Sequence, residues 1–268
     1  MSIRSSQSGL AAKIPRVQDG RAITMQNFEL ISFANADELA PSVAAGWLDE
    51  IETANRAGKP HCVALSGGRI AQKFFSSVVE QAKARRILFS RVHFFWADER
   101  CVPPADSESN FKMANELLFR PLKIPESQIH RVRGEDSPEV AAQKAATEIC
   151  KLAPLNKNGQ PILDLIFLGM GEDGHVASLF PDKAEGTVLK SIFCAVKNSP
   201  KPPPDRVTLS YAAIAAARQV WVLASGAGKE DALRQSLSVS GKTPLARIIQ
   251  SRSNTRVFSE ISVIARAK

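Results

Sequence analysis

Asp173 and His175 stand two positions apart in the glycine-rich run Gly169-Met-Gly-Glu-Asp-Gly-His175, directly after an apolar stretch at 162–168. A carboxylate beside an imidazole suits moving a proton on or off water. Among the four histidines only His175 sits in such a turn. His61, His93 and His130 show no H-x-x-x-H or Cys/His spacing, and Cys62, Cys101, Cys150 and Cys194 lie far apart, so no metal is expected. Three other clusters carry groups of chemical interest. Ser66-Gly67-Gly68 would expose backbone N–H groups at a helix start, an anion cradle. Asp98-Glu99-Arg100 sets two carboxylates and a guanidinium together, and Gly226-Ala-Gly228-Lys229 adds an ammonium to a second glycine-rich turn. Each alone reads as an ordinary turn or a solvated, salt-bridged corner. Four at corresponding strand ends describe a pocket for a compact phosphorylated polyol with one acid/base centre.

The elements around these clusters follow from hydrophobic period. Residues 28–33, 61–65, 92–96, 162–168, 192–196 and 219–224 read as strands, with strand-like stretches near 256–264. Val43, Ala44, Trp47, Leu48, Ile51 and Ala54 lie at helical spacing, as do Ile70, Ala71, Phe74, Phe75, Val78, Val79 and Ala82. Ser137-Pro138 is a helix start, further helices begin near Glu230 and span 244–250, and a short helical segment after His175 stops at Pro181. Asn110 reads as a helix cap, and Trp96 and Phe180 as packing residues. Strand, turn and helix alternate throughout. That order predicts an α/β fold of three layers, α/β/α, with a mostly parallel central sheet. Open sheets of this kind build their sites at the carboxyl ends of the strands.

Composition narrows the function classes. The chain has 268 residues, 44% of them apolar, and no apolar run near the ~20 residues that a membrane span needs. Residues 1–25, serine-bearing and more basic than acidic, read as a flexible polar tail, with a targeting segment as the alternative. Residues 26–268 read as one domain. The scattered cysteines fit a reducing cytoplasm. The net charge of +8 raises nucleic acid as a partner, but Lys and Arg form no dense block and aromatics are only 6%. A solvated basic surface is the reading, with a small anionic molecule as the partner.

Two glycine motifs mislead. Gly169-Met-Gly171-Glu-Asp-Gly174 satisfies the dinucleotide fingerprint G-x-G-x-x-G, but Pro181 comes too soon for a crossover helix. The stretch where an acid should hold a ribose reads Phe193-Cys194-Ala195. Gly228-Lys229 lacks the earlier glycine and the following hydroxyl of a nucleotide-triphosphate loop. No nucleotide cofactor is expected.

Five segments together resemble the 6-phosphogluconolactonase family: LSGG (65–68), FFWADERCVPPADSESNF (94–111), DLIFLGMGEDGHVASLFP (164–181), KPPPDRVTLSY (201–211) and GAGKEDAL (226–233). The resemblance runs in order over nearly all the chain after residue 28. It implies the fold shared with glucosamine-6-phosphate deaminase and ribose-5-phosphate isomerase. It also implies hydrolysis of 6-phospho-D-glucono-1,5-lactone to 6-phospho-D-gluconate in the oxidative pentose phosphate pathway, without metal or nucleotide. His175 would be the base and then the acid, oriented by Asp173, with N–H groups of the turn from Gly171 as oxyanion donors. Arg100 and Lys229 match positions associated with phosphate, backed by the Ser66-Gly67-Gly68 loop. Arg206 is an additional cation, and Asp98 would hold Arg100 or a sugar hydroxyl. One departure stands out: where the family loop usually reads Ser-Gly-Gly-Ser-Thr-Pro, this chain has Arg69-Ile-Ala, so Arg69 either adds a phosphate contact or crowds the cradle.

Two rival readings keep the same pocket. An amino-sugar-phosphate deaminase/isomerase of the related branch carries a Glu five residues after the loop His and an aromatic residue after Asp-Glu, where this chain has Phe180 and Arg100. A catalytically inactive sugar-phosphate sensor would need neither Asp173 nor His175. Oligomeric state is left at monomer or small homo-oligomer.

Overall fold

In a computed structural model of the chain, residues 21–24, 27–181 and 191–262 are described. The predicted apolar runs form β2 (Phe28–Ser32), β3 (His61–Leu65), β4 (Val92–Trp96), β6 (Leu165–Gly169), β9 (Gln219–Ala224) and β10 (Thr255–Ser259), all parallel. With β1 (Arg21–Thr24), antiparallel at the edge, they make a seven-stranded sheet ordered β1-β2-β10-β9-β6-β3-β4. β3 is buried at every position, as a strand covered on both faces must be.

The crossovers decide the layers. β2 leads through α1 (Ala36–Arg56) to β3, and β3 through α2 (Arg69–Arg85) to β4, both moving one way along the sheet. β9 leads through α7 (Glu230–Leu237) and α8 (Pro244–Gln250) to β10, moving the other way. Right-handed crossovers in opposite directions put α1 and α2 on one face and α7 and α8 on the other. The Trp47 ring of α1 packs on Phe74 of α2 at 5.7 Å and on Phe167 of β6 at 5.3 Å. Its indole N–H donates to His61 Nε2 at 3.2 Å, so the polar atom of the largest core side chain is satisfied. α1 starts on a reciprocal cap: the Glu38 N–H donates to Asn35 Oδ1 at 3.0 Å, and the Ala34 N–H to Glu38 Oε2 at 3.2 Å.

Between β3 and β6 the chain order reverses, and the loops leaving these two strands diverge. That switch point opens the crevice of the molecule. A second, antiparallel sheet stands over it, ordered β5-β8-β7: β5 (Asp98–Arg100), β8 (Arg206–Leu209) and β7 (Phe193–Val196). The helix α5 (Pro138–Leu152) packs against this small sheet, and α3 (Asn110–Ala114) leads away from the loop after β5.

The structure corrects four expectations. Asp98-Glu99-Arg100 is not the end of β4: the chain leaves the central sheet after Trp96 and pairs with β8. The strand at 193–196 belongs to this small sheet as well. Arg21–Thr24, read as tail, pair with β2 and so satisfy the backbone of an edge strand; residues 1–20, 25 and 26 lie outside the described residues. The segment after His175 is a tight turn and not a helix, because Ala177 takes φ +50.

Candidate active site

The loop after β3 reaches the crevice as two glycines. Gly68 caps α2 with φ +103, has no side-chain cap of its own, and is followed by no acid in the first helical turn. The N–H groups and positive dipole end of a 17-residue helix are therefore open to an anion. Gly67 is required by a close approach: a Cβ there would lie 1.9 Å from Asn110 Oδ1. Asn110 Nδ2 donates to the Asp98 carbonyl at 2.9 Å, while its Oδ1 is buried without a hydrogen-bond partner. The Ser66 hydroxyl donates to the Phe167 carbonyl at 2.9 Å, tying the loop to β6.

The turn after β6 places the imidazole. His175 Nδ1 lies 2.5 Å from Asp173 Oδ1, and the His175 backbone N–H donates to the same oxygen at 3.2 Å. With Nδ1 carrying the proton toward the carboxylate, Nε2 keeps its lone pair. Partial burial works against ionisation of Asp173, but the His175 hydrogen bonds and ring charge outweigh it and hold the carboxyl down at about 2. The ring packs on Phe180 at 4.8 Å and lies over Gly171, where a Cβ would meet Cε1 at 2.0 Å. Gly174, at φ +76, accepts from the Leu245 N–H at 3.1 Å and abuts Thr243, so the start of α8 braces the turn.

Four cations converge on the same cleft, a compact one of about 130 Å³. Arg100 donates from Nη1 to the Glu108 carbonyl at 2.7 Å and to its carboxylate at 3.3 Å. Arg206 is buried. Its Nε donates to the Pro203 carbonyl at 3.0 Å, its Nη2 to the carbonyls of Lys201 and Pro202, and its guanidinium lies over the Phe180 ring. Its Nη1 donates to Ser178 Oγ at 3.4 Å, and the residue lines the cleft. Burial lowers the Arg206 pKa, opposed by the nearby Asp98 charge. Lys229 and Arg69 flank Gly226, their ends 3.8 and 3.7 Å from where its Cβ would be. Burial, and then the Arg69 charge, lower the Lys229 pKa. Neither cation has a hydrogen bond or ion pair among the described residues.

The carboxylates divide their work. Asp98 Oδ2 accepts from the Ser178 hydroxyl at 2.7 Å and its Oδ1 faces Asn110 Nδ2 at 3.5 Å, so Asp98 is not the partner of Arg100. Glu99 is buried and accepts from the N–H groups of Arg100, Asn110 and Phe111, each at 2.8 Å. Burial still pushes its carboxyl up to about 7.

Residues 34–258 match the family model described as glucosamine-6-phosphate isomerases/6-phosphogluconolactonase. The chain belongs to this family. It is 39% identical over 171 residues to a 6-phosphogluconolactonase of Treponema pallidum, covering 64% of this chain and 70% of that one. A Streptomyces coelicolor 6-phosphogluconolactonase is 32% identical over 220 residues, 80% and 84% of the two chains. The solved 6-phosphogluconolactonase of Trypanosoma brucei superposes with a TM-score of 0.73 at 27% identity, covering 85% of this chain and 94% of that one.

The cleft gathers Ser66, Gly67, Gly68, Arg69, Asp98, Arg100, His175, Arg206 and Lys229. Gly171 and Asp173 stand behind His175 and do not line it. Arg206 is no surface charge, since burial and three carbonyls hold it in place. Asn110 is not the cap of α3, a role taken by Ser109, but a wall of the cleft. Sequence reasoning also missed Glu260, whose Oε1 accepts from the Ser225 hydroxyl at 2.8 Å and the Gly226 N–H at 2.9 Å, pinning the loop that carries Lys229. A lone acid past the last strand carries no local signal for that role.

Proposed function

We propose that this chain hydrolyses 6-phospho-D-glucono-1,5-lactone to 6-phospho-D-gluconate, the lactone-opening step of the oxidative pentose phosphate pathway. The observation that carries the reading is an oriented imidazole at one end of a cleft whose other end holds two cations without a hydrogen bond or ion pair among the described residues. His175 Nε2 takes a proton from water as that water attacks the ring carbonyl carbon. The imidazolium formed is stabilised by Asp173 and returns the proton to the ring oxygen as the carbon–oxygen bond breaks. No Ser, Cys or Thr hydroxyl or thiol hydrogen-bonds to Nε2 among the described residues, which favours water over a protein nucleophile. The turn from Gly171 does not supply the oxyanion donors, because the Gly171, Gly174 and His175 N–H groups donate within the turn itself.

The phosphate is held by Arg69, Lys229 and the Gly67 and Gly68 N–H groups at the start of α2. Arg69 thus replaces short hydroxyls with a planar donor suited to bidentate phosphate contacts. Arg100, Arg206 Nη1 and Asp98 Oδ1 face the sugar portion between the two ends, with Arg100 sharing its charge with Glu108. The deaminase/isomerase reading lacks support here, because Phe180 packs against His175 where a second carboxylate would be needed. We further read the protein as a cytoplasmic monomer or small homo-oligomer with neither nucleic acid nor membrane as partner; no described helix is long and apolar enough to cross a membrane.

The test is a coupled assay with freshly generated 6-phosphogluconolactone, following proton release against the spontaneous background. Acceleration that vanishes in His175→Ala supports the reading. A rate equal to the background for the intact chain overturns it.

A further inference from the structure

Ser178 lies three residues beyond His175, is only 1% exposed and does not line the cleft. Nothing in the chemistry above uses it, yet it makes the most distant polar contacts of the catalytic turn. Its hydroxyl donates to Asp98 Oδ2 at 2.7 Å, and its N–H donates to Thr208 Oγ1 at 3.2 Å. Asp98 and Thr208 are themselves cross-strand partners in the small sheet. Arg206 Nη1 approaches the same hydroxyl at 3.4 Å. Ser178 is thus the point at which the loop from the central sheet docks on the second sheet.

The backbone beside it is strained. The Leu179 N–H donates to the Val176 carbonyl at 3.0 Å, closing a tight turn in which Ala177 takes φ +50. A residue with a Cβ keeps that conformation only where its surroundings over-determine it. The two hydrogen bonds of Ser178 supply that constraint from one end, and Phe180, packed on the His175 ring, closes the segment at the other.

We propose that Ser178 is a positioning residue for the lactonase reaction: its bonds to Asp98 and Thr208 lock the 176–179 turn to the small sheet and so hold His175 where Nε2 meets the attacking water. The proposal rests on His175 being the base. It gives Asp98 a second duty, as the anchor for a catalytic loop that reaches it from the other sheet. A direct role for Ser178 on substrate is ruled out by its burial and by the commitment of its hydroxyl proton to Asp98.

The experiment measures kcat and KM for 6-phosphogluconolactone in Ser178→Ala, Ser178→Thr and Thr208→Val, beside thermal melting of each. For Ser178→Ala the expected result is a kcat lowered ~10- to 100-fold, since displacement of a base by about an ångström costs that much. KM should stay within about two-fold, as expected when an interaction acts on the chemical step alone. Ser178→Thr keeps the hydroxyl and should restore most of kcat. Thr208→Val, nearly isosteric, removes the second anchor and should lower kcat in the same direction. A folded Ser178→Ala enzyme with wild-type kcat, or one in which only KM rises, overturns the proposal. Should Ser178→Ala not fold, wild-type kcat in Thr208→Val overturns it equally. Failure of the underlying function looks different: the intact chain would not accelerate lactone hydrolysis, or His175→Ala would remain as active as it.

Discussion

The two ends of the cleft are built on opposite principles. At the His175 end, the imidazole is fixed by Asp173 on one edge, Phe180 and Gly171 on its faces, and a turn docked through Ser178. At the Arg69 and Lys229 end, two like charges share the space around Gly226, and neither makes a hydrogen bond or ion pair among the described residues, although Glu172 and Glu260 lie near enough to act on Lys229. The first arrangement is complete before substrate arrives, as a base must be if orientation is to lower the barrier. The second is incomplete, and in the proposed function an incoming phosphate dianion would relieve its repulsion. Binding energy collected at the phosphate can thus be used at the lactone carbon.

The contrast predicts different kinetic signatures. His175→Ala should lower kcat by ~100- to 10,000-fold, the usual scale for general acid–base catalysis, with binding of 6-phosphogluconate little changed; similar losses of affinity and turnover would break the division. Asp173→Asn keeps the shape but removes the charge that stabilises the imidazolium, and kcat should fall with KM nearly constant in steady-state assays. Lys229→Ala and Arg69→Ser should instead raise KM for the phosphorylated lactone by ~10-fold each, on the scale of one charge-assisted hydrogen bond. Unphosphorylated gluconolactone should be turned over as before; equal losses on both substrates would place these cations elsewhere.

The smallest effect concerns stability and sharpens the comparison by leaving it untouched. Burial lowers the pKa of His61, His93 and His130 below 6.5. Groups depressed in the folded state bind protons more readily when unfolded, so their contribution is complete above about pH 6.5 and drains away as pH falls through the folded values. Buried Glu99, held up at about 7, gains stability as pH falls over the same range, so the opposing contributions should leave melting temperature nearly flat between about pH 6.5 and 5. His175→Ala should follow the same curve, because none of these groups touches the catalytic turn.

Much of this molecule is readable from local pattern. β3 and β4 fall where the apolar runs put them, and α7 and α8 start at the glycine-rich turn and at Thr243-Pro244, because burial and capping act over a few neighbouring residues. The pairing of Asp173 with His175 is equally local, since two residues in one turn meet without help from the rest of the fold. Of the small sheet, β7 is legible as the strand at 192–196, whereas β5 and β8 are too short to show a period, so their pairing escaped. Ser178 on Asp98, Glu260 on Gly226 and Arg69 beside Lys229 also escaped, since they join segments 34 to 160 residues apart. Sequence alone thus determined which chemical groups this protein owns and, for three of the four clusters, which strand ends carry them. Which cation is left free, which carboxylate anchors a loop and which faces substrate were decided only when two sheets met over one switch point. Such contacts depend on the register and angle between elements, which no short stretch of sequence specifies.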